Sequence, residues 1–193
     1  MKQYKKRIAD EILQFRLESK GAVLIEGTKW CGKTTTAKQF AKSVVSMQDQ
    51  DNFATNIELA NIKPSALLVG KTPRLIDEWQ VAPKLWDAVR YEVDARDEFG
   101  QFILTGSAVP VNISELSHTG TGRIARMLMR PMSLYESGDS SGTVSLKDIF
   151  DGNLDIVGTS SIDFEHLAFL ICRGGWPKAL DCSEKVALAQ ALD

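Results

Sequence analysis

The stretch that organises this sequence reads Gly27-Thr28-Lys29-Trp30-Cys31-Gly32-Lys33-Thr34, and it satisfies the pattern G-x-x-x-x-G-K-[ST] in full. Before it, residues 22–25 form a short apolar run that predicts a strand buried on both faces. After it, apolar residues from Ala37 to Val45 recur at helical spacing and predict a helix that runs to about Ser46. Strand, loop and helix in this order predict a phosphate-binding loop; the alternative is a turn before a lysine-capped helix.

The residue types of this loop suit a nucleotide. Glycines let successive backbone N–H groups point at phosphate oxygens, and the helix N-terminus adds its positive dipole end. We expect Lys33 to neutralise the β- and γ-phosphates and to act in catalysis, and the Thr34 hydroxyl to ligate Mg²⁺. The expected cofactors are ATP and Mg²⁺, and the expected nucleotide contacts are Gly27, Thr28, Lys29, Trp30, Cys31, Gly32, Lys33, Thr34 and Thr35.

Three other side chains near these motifs have ordinary interpretations. Cys31, inside the loop, is interpreted as a packing residue, with a redox-sensitive thiol as the alternative. Trp30 and Trp79 are likewise expected to pack against the core and not to stack on a nucleobase. Arg7 belongs to a basic cluster with Lys2, Lys5 and Lys6 that we interpret as a solvated helix face, with a phosphate-binding arm as the alternative.

A second motif follows Pro73, where the apolar strand candidate that begins at Arg74 ends in Asp77-Glu78. We expect Asp77 to hold Mg²⁺, and Glu78 to orient and polarise the water that attacks the γ-phosphate. A strand that exits into an acidic turn is the alternative. Because a carboxylate helps water attack, the pair favours hydrolysis over phosphoryl transfer to a small molecule.

Small polar residues at a strand end, Thr105-Gly106-Ser107, predict a γ-phosphate sensor, for which Ser107 is the candidate. A plain exit from strand to turn explains the same residues. Arg123 is the candidate for an arginine finger that acts on a neighbouring subunit, and Arg126 and Arg130 are its rivals. A surface ion pair is the alternative role for each arginine.

The remaining patterns predict an α/β fold with a parallel sheet flanked by helices. Helical spacing of Tyr4, Ile8, Ile12 and Phe15 predicts an amphipathic N-terminal helix. The other predicted elements are a short strand at residues 57–59, a helix from about Pro83, and strands at residues 101–105 and 124–130.

The C-terminal part is predicted to be small and mainly helical. Ser133 and Glu136 match a capping box at the start of a short helix, and Gly174-Gly175 should end a later one. The predicted domains are a P-loop ATPase domain at residues 1–136, a flexible loop at 137–142 and a helical region at 143–193. A last helix still runs at Leu192, which predicts that the chain is a fragment of a longer protein.

Composition excludes several classes of protein. The chain has 193 residues, enough for one α/β domain with a small helical appendage. Its formal net charge of -2 provides no overall cationic field for nucleic acid. No apolar run is long enough to span a bilayer, so no membrane association is expected. Three cysteines without C-x-x-C spacing predict a reducing cytoplasm and no structural zinc.

These motifs together resemble a prokaryotic family of predicted AAA+ ATPases that pair an N-terminal ATPase domain with a C-terminal domain of unknown function. The matching segments are Gly27–Thr34, Pro73–Gln80, Leu104–Ser107 and Gly122-Arg123, with Gly174–Pro177 similar to the start of the family's later region. The resemblance implies AAA+ topology, with the phosphate loop after the first core strand and Asp77-Glu78 on the third.

The resemblance also implies partners. It makes a nucleotide-gated homo-oligomer plausible, and its C-terminal region, thought to include winged-helix or nuclease-like elements, makes a DNA or protein partner plausible. The first hypothesis is therefore an ATPase that drives or gates a larger assembly. The alternatives are a nucleotide-switched DNA- or protein-binding module with negligible turnover, and a small-molecule kinase.

Overall fold

The computed structural model of the protein describes residues 4–107, 120–153 and 156–192, without the side chains of Ser107 and Leu192. The chain divides into two compact units. One unit is Arg7–Arg130, and the segments on either side of it form the other. The two are described separately below, and the domain boundaries expected at residues 136 and 143 stay a prediction.

The larger unit contains a five-stranded sheet in the order β2-β3-β4-β1-β5, with every neighbouring pair parallel. This arrangement confirms the predicted α/β class and places the first strand between the fourth and the fifth. The strands are β1 Ala22–Gly27, β2 Ser43–Ser46, β3 Arg74–Asp77, β4 Phe102–Ser107 and β5 Ile124–Met129. The helices of this unit are α1 Ile8–Ser19, α2 Lys33–Phe40, α3 Phe53–Ile62 and α4 Lys84–Arg96.

The central strands are buried on both faces, as their continuous apolar sequences predict. Val23 and Leu24 are 0% and 1% exposed, so the run at the start of β1 has no polar face. On one side, Leu24 and Leu104 join Trp86 and Val89 of α4 in a single apolar cluster. Apolar packing of the strand interiors therefore stabilises the sheet, and the ends of the strands can carry polar groups.

The N-terminal helix forms, but its buried face differs from the predicted one. Ile8, Ile12 and Phe15 are 53%, 43% and 69% exposed, whereas Leu13 and Leu17 are buried. Helix α1 contacts β1 and β5 through this second face. The expected stripe was wrong because two apolar stripes share the helix, and contact with the sheet selects the other one.

The helix after the phosphate loop is shorter than predicted. Helix α2 ends at Phe40, Ala41 is extended, and Val44 and Val45 lie in β2 beside β3. The prediction of a helix to about Ser46 is therefore wrong. Apolar residues at helical spacing continue into this segment, but valines are β-branched and pack well in a strand, and pairing with β3 satisfies their backbone.

The strand predicted at residues 57–59 is also wrong, because these residues lie within helix α3. One apolar–polar–apolar triplet fits either periodicity, and the helix is selected by burial of Asn56 and Ala60 on one side of it. The remaining predictions for this unit agree with the structure. Pro83 precedes α4, and strands occur where residues 101–105 and 124–130 predicted them.

The smaller unit contains short helices, α5 Leu134–Ser137, α6 Leu146–Phe150, α7 Phe164–Arg173 and α8 Glu184–Leu192. The capping box predicted at the start of α5 is present, with Ser133 and Glu136 each bonding to the other's backbone N–H. Gly174 follows the last residue of α7, as expected. The mainly helical character predicted for this region is confirmed.

Asp139 accepts two side-chain hydrogen bonds within the smaller unit. Its Oδ2 accepts hydrogen bonds from Arg173 at 2.7 Å and from Ser137 at 2.6 Å. His166 lies 3.9 Å from its other oxygen. Burial raises the pKa of Asp139, but the Arg173 and Ser137 hydrogen bonds outweigh burial and hold the pKa below its usual value.

Over the part of the chain that the structure describes, no helix combines the length and the apolar character needed to cross a bilayer.

Candidate nucleotide-binding site

The predicted loop connects β1 to α2 at the carboxyl edge of the parallel sheet. Strand β1 ends at Gly27, a turn follows in which Cys31 N donates to Thr28 O at 3.3 Å, and α2 begins at Lys33. Gly32 has a φ of 105°, a backbone conformation that side chains rarely adopt. The chain therefore curls as the pattern predicts, and Thr35 lies in the first turn of α2.

A glycine is needed at position 27 for the close approach of β5 as well as for the curl of the loop. A Cβ atom at this position would lie 2.2 Å from the backbone oxygen of Met129, at the end of β5. Real Cβ atoms do not approach a carbonyl oxygen so closely, so any side chain here would push the loop and β5 apart. The first glycine of the pattern thus holds the loop against the sheet.

Lys33 lies across the loop that precedes it. Its Nζ donates to the backbone oxygens of Gly27 and Thr28, each at 2.9 Å, and the residue is only 6% exposed. These bonds place a buried positive charge beside the curled backbone. A cation in this position suits a polyanionic ligand, because phosphate oxygens can take the place of the two carbonyls as its acceptors.

A cluster of oxygen atoms joins the loop to two neighbouring strands. Oδ1 of Asp77, the last residue of β3, accepts from Thr34 Oγ1 at 2.7 Å and from Thr105 Oγ1 at 2.6 Å. Carboxylate and hydroxyl oxygens are the ligands that Mg²⁺ prefers, and Mg²⁺ keeps several waters when one or two such groups hold it. Thr34 and Asp77 therefore have the chemistry of a magnesium site, and Thr105 donates to the same carboxylate oxygen as Thr34.

Glu78 follows Asp77 and leaves the strand in an unusual conformation. Its φ of 58° and ψ of 48° are left-handed, so the extended backbone of β3 ends before this residue. Its backbone N–H donates to Thr105 Oγ1 at 3.3 Å, and its carboxylate accepts from the side chain of Gln80. Thr105 Oγ1 thus bonds to the Asp77 carboxylate and to the backbone N–H of Glu78, so it fixes the side chain of the first acid and the main chain of the second.

Sequence reasoning assigned the polar strand tip to Ser107, whose side chain lies outside the described residues. The backbone of Ser107 pairs in register with Gly27, so its position beside the loop is clear. Thr105 is the residue of this tip for which contacts are seen, and it is 0% exposed. A buried hydroxyl in an otherwise apolar strand, Phe102-Ile103-Leu104-Thr105, was the signal for it.

Arg123 lies at the opposite edge of the sheet from the phosphate loop. Its backbone oxygen accepts from Ala22 N, at the start of β1, and its side chain forms an ion pair with Asp94 at 2.7 Å. The Asp94 carboxylate, through its hydrogen bond and then its charge, raises the pKa of Arg123. The structure thus shows the surface ion pair and does not bring Arg123 to its own chain's loop.

Arg7 is a residue of the site that sequence reasoning missed. It is 5% exposed, and its guanidinium donates to the backbone oxygens of Cys31 and Arg130, each at 2.9 Å. Asp10 Oδ2 accepts from the backbone N–H of Arg7 at 2.9 Å. The interpretation of the basic cluster as solvated is wrong for Arg7, which ties the phosphate loop to the end of β5.

The two other loop side chains have opposite environments. Cys31 is 0% exposed, and its Sγ lies 3.5 Å from Met129 O, so it is the packing residue that we expected. Trp30 is 68% exposed with a φ of 67°, so the expectation that it packs against the core is wrong. Trp79, by contrast, is buried against Trp86 with ring centroids 5.1 Å apart.

Comparison with known proteins agrees with this geometry. Residues 19–138 match the model of a family described as an AAA domain. A search of curated proteins finds no match. The fold is similar to a signal transduction ATPase with numerous domains (STAND) from Pyrococcus horikoshii, which has a tetratricopeptide repeat sensor, with a TM-score of 0.51 and 16% identity over 99% of this chain and 32% of that one.

AMPPCP-bound DnaA from Aquifex aeolicus is a second similar structure, with a TM-score of 0.48 and 14% identity over 98% of this chain and 62% of its own. The chain therefore spans less than two thirds of both proteins. At these identities the likeness to the STAND protein concerns the fold alone. The family match covers the phosphate loop, the acidic strand end and all five strands, and the chain belongs to the family of AAA domains, with a P-loop unit of the AAA+ type.

Proposed function

We propose that this protein binds ATP with Mg²⁺ and hydrolyses it to ADP and phosphate. One observation carries the proposal: the hydroxyl of Thr34 and the carboxylate of Asp77 meet at 2.7 Å beside a curled loop that contains a buried Lys33. This arrangement combines backbone amides and a cation for phosphates with hard oxygen ligands for a magnesium ion. The family of AAA domains supports a nucleotide as the ligand.

Each residue has a separate task in this proposal. The loop amides and Lys33 bind and neutralise the β- and γ-phosphates, and Thr34 and Asp77 hold the magnesium ion, which supplies charge neutralisation at the transferred phosphoryl group. Glu78, next to Asp77, orients the attacking water and accepts its proton. Thr105 fixes both acids, and Ser107 at the same strand tip is the proposed sensor of the γ-phosphate.

The experiment measures phosphate release and nucleotide binding by purified protein. Lys33→Ala should abolish binding of MgATP in calorimetry, because it removes the buried ammonium that lies across the loop and bonds to Gly27 and Thr28. Glu78→Gln should keep binding and lose turnover. Exposed residues of the same types, Lys38→Ala and Glu58→Gln, serve as matched controls and should behave as wild type.

The same assay separates the rival functions. A nucleotide-switched binding module would bind MgATP tightly but release phosphate no faster than buffer. A small-molecule kinase would place the phosphate on an added acceptor. Equal turnover by wild type and Glu78→Gln would remove the catalytic role proposed for Glu78, and no binding of MgATP by folded wild-type protein would remove the proposal itself.

A larger assembly is the final part of the proposal. Arg123, 44% exposed at its side chain, is proposed to act on the nucleotide of a neighbouring copy, where it would exchange its bond to Asp94 for the γ-phosphate. Dependence of turnover on protein concentration, lost in Arg123→Ala, would support this. The proposed DNA or protein partner and the cytoplasmic location rest on the sequence resemblance and the cysteine pattern.

A further inference from the structure

Gln80 contacts the proposed catalytic acid directly. It lies in the short 3₁₀ turn Trp79–Val81 that follows Glu78, and its side-chain Nε2 donates to Oε2 of Glu78. No hydrogen bond to Oε1 of Glu78 is found among the residues that the structure describes. One carboxylate oxygen is therefore fixed by the amide, and the other is available to a water molecule.

The orientation of the Gln80 amide is set by Glu78. Its carbonyl oxygen, Oε1, is buried and has no hydrogen-bond partner within the described part of the chain. An unpaired buried acceptor costs free energy, but rotating the amide would place that oxygen against the Glu78 carboxylate and lose the bond. The Gln80 side chain thus donates to Glu78 while its own carbonyl oxygen stays without a hydrogen bond, a conflict that is typical of functional sites.

Strand β4 provides the space for this amide. A Cβ atom on Gly106 would lie 2.6 Å from Gln80 Oε1 and 2.9 Å from the indole Nε1 of Trp79. Gly106 follows Thr105, which accepts a hydrogen bond from the backbone of Glu78. The glycine at the strand tip therefore lets the Gln80 side chain lie between Glu78 and β4.

We infer that Gln80 is a positioning residue for ATP hydrolysis, which holds the Glu78 carboxylate so that its open oxygen faces the attacking water. This inference rests on the proposed function. Glu78 takes one proton of the water as the water oxygen bonds to the γ-phosphorus. The bond from that phosphorus to the β–γ bridging oxygen breaks, ADP keeps its electron pair, and the proton leaves Glu78 for solvent.

Two variants disturb the contact from opposite sides. Gln80→Met keeps the length of the side chain and removes the donor, and Gly106→Ala fills the space of the amide while Gln80 stays. Gln39→Met, at an exposed glutamine of α2, is the matched control. Both test variants should lower kcat for phosphate release at least about tenfold and leave the Kd for MgATP in calorimetry, and KM, near wild type.

Combination with Glu78→Gln distinguishes positioning from a structural role. If Gln80 acts through Glu78, Gln80→Met should cause no further loss of single-turnover rate in the Glu78→Gln background. Losses that add, or a Kd for MgATP that rises together with the fall in kcat, would overturn the inference. If Gln80→Met turns over ATP as fast as the wild type, the role inferred for Gln80 is refuted and the proposed hydrolysis stands. If the wild-type protein binds MgATP but does not turn it over, the proposed hydrolysis and the role of Gln80 are both refuted.

Discussion

Replacement of Arg7 by Met should destabilise the larger unit and weaken nucleotide binding together. The buried guanidinium forms two hydrogen bonds to backbone oxygens, one on the phosphate loop at Cys31 and one at Arg130 after β5. A hydrogen bond that involves a charged group contributes about 1.5 to 3 kcal/mol, and its loss leaves a buried acceptor unpaired. Two such losses predict a destabilisation of roughly 3 to 6 kcal/mol, a large part of the stability of an ordinary domain.

Urea unfolding followed by tryptophan fluorescence measures this loss, because Trp79 and Trp86 are both buried in the larger unit. The magnitude above corresponds to a fall of at least roughly 10 °C in melting temperature for a unit of this size. Arg16→Met is the matched control, since Arg16 lies in α1, the helix that Arg7 precedes, and has no side-chain partner among the described residues. The stability of Arg7→Lys should lie between those of Arg7→Met and Arg16→Met, because an ammonium cannot bridge both backbone oxygens as the planar guanidinium does.

Calorimetry tests the second part of this prediction, the weaker binding of MgATP. At a temperature where Arg7→Met is still folded, its affinity for MgATP should be lower than that of Arg16→Met, because the carbonyl of Cys31 is no longer held and the loop loses its preorganised curl. If Arg7→Met and Arg16→Met unfold at the same urea concentration, the buried bonds contribute nothing measurable and the reasoning is refuted.

Three further predictions concern other parts of the chain. Trp30 is exposed on the phosphate loop, so MgATP should alter tryptophan fluorescence and its quenching by acrylamide in wild type; the same response in Trp30→Phe would contradict this. Thr105→Val removes a hydroxyl bonded to the Asp77 carboxylate and the Glu78 backbone N–H, and we expect turnover to fall about tenfold, measured as phosphate release; an unchanged rate would show that the hydroxyl is dispensable. Asp139→Asn should lower the stability of the protein at pH 7. The pKa of Asp139 is lower in the folded protein than in the unfolded chain, so its carboxylate contributes stability at pH values above the ordinary carboxyl pKa, and this stability is lost as the pH falls through the folded pKa. The melting temperatures of both proteins should therefore converge as the pH falls through the folded pKa of Asp139, below the ordinary carboxyl value, and a constant difference across pH would contradict the assignment.

The sequence predicted the phosphate loop and the acidic strand end because both depend on local chemistry. A loop that curls needs glycines such as Gly27 and Gly32, and a strand end with the chemistry of a metal site needs a carboxylate such as Asp77. These requirements appear as residue types at fixed spacing, so they can be read without knowledge of the rest of the chain.

The misassigned elements depend on contacts that spacing cannot show. Helix α1 has two apolar stripes, and the sheet buries the one that contains Leu13 and Leu17. Residues 43–46 fit a helical pattern, yet their pairing with β3 makes them a strand. The role of Arg7 was hidden in the same way, because its two acceptors are backbone oxygens 24 and 123 residues away in sequence.

The position of β1 between β4 and β5 has a consequence for biosynthesis. Residues of the phosphate loop leave the ribosome before the two strands that flank β1, which end at Ser107 and Met129, and Gly27 packs directly against Met129. Contacts of such long sequence separation form only after the intervening chain has been made. A nascent chain that stops before β5 should therefore fail to retain an immobilised ATP analogue, and the capacity to bind should arise abruptly once that last strand has emerged.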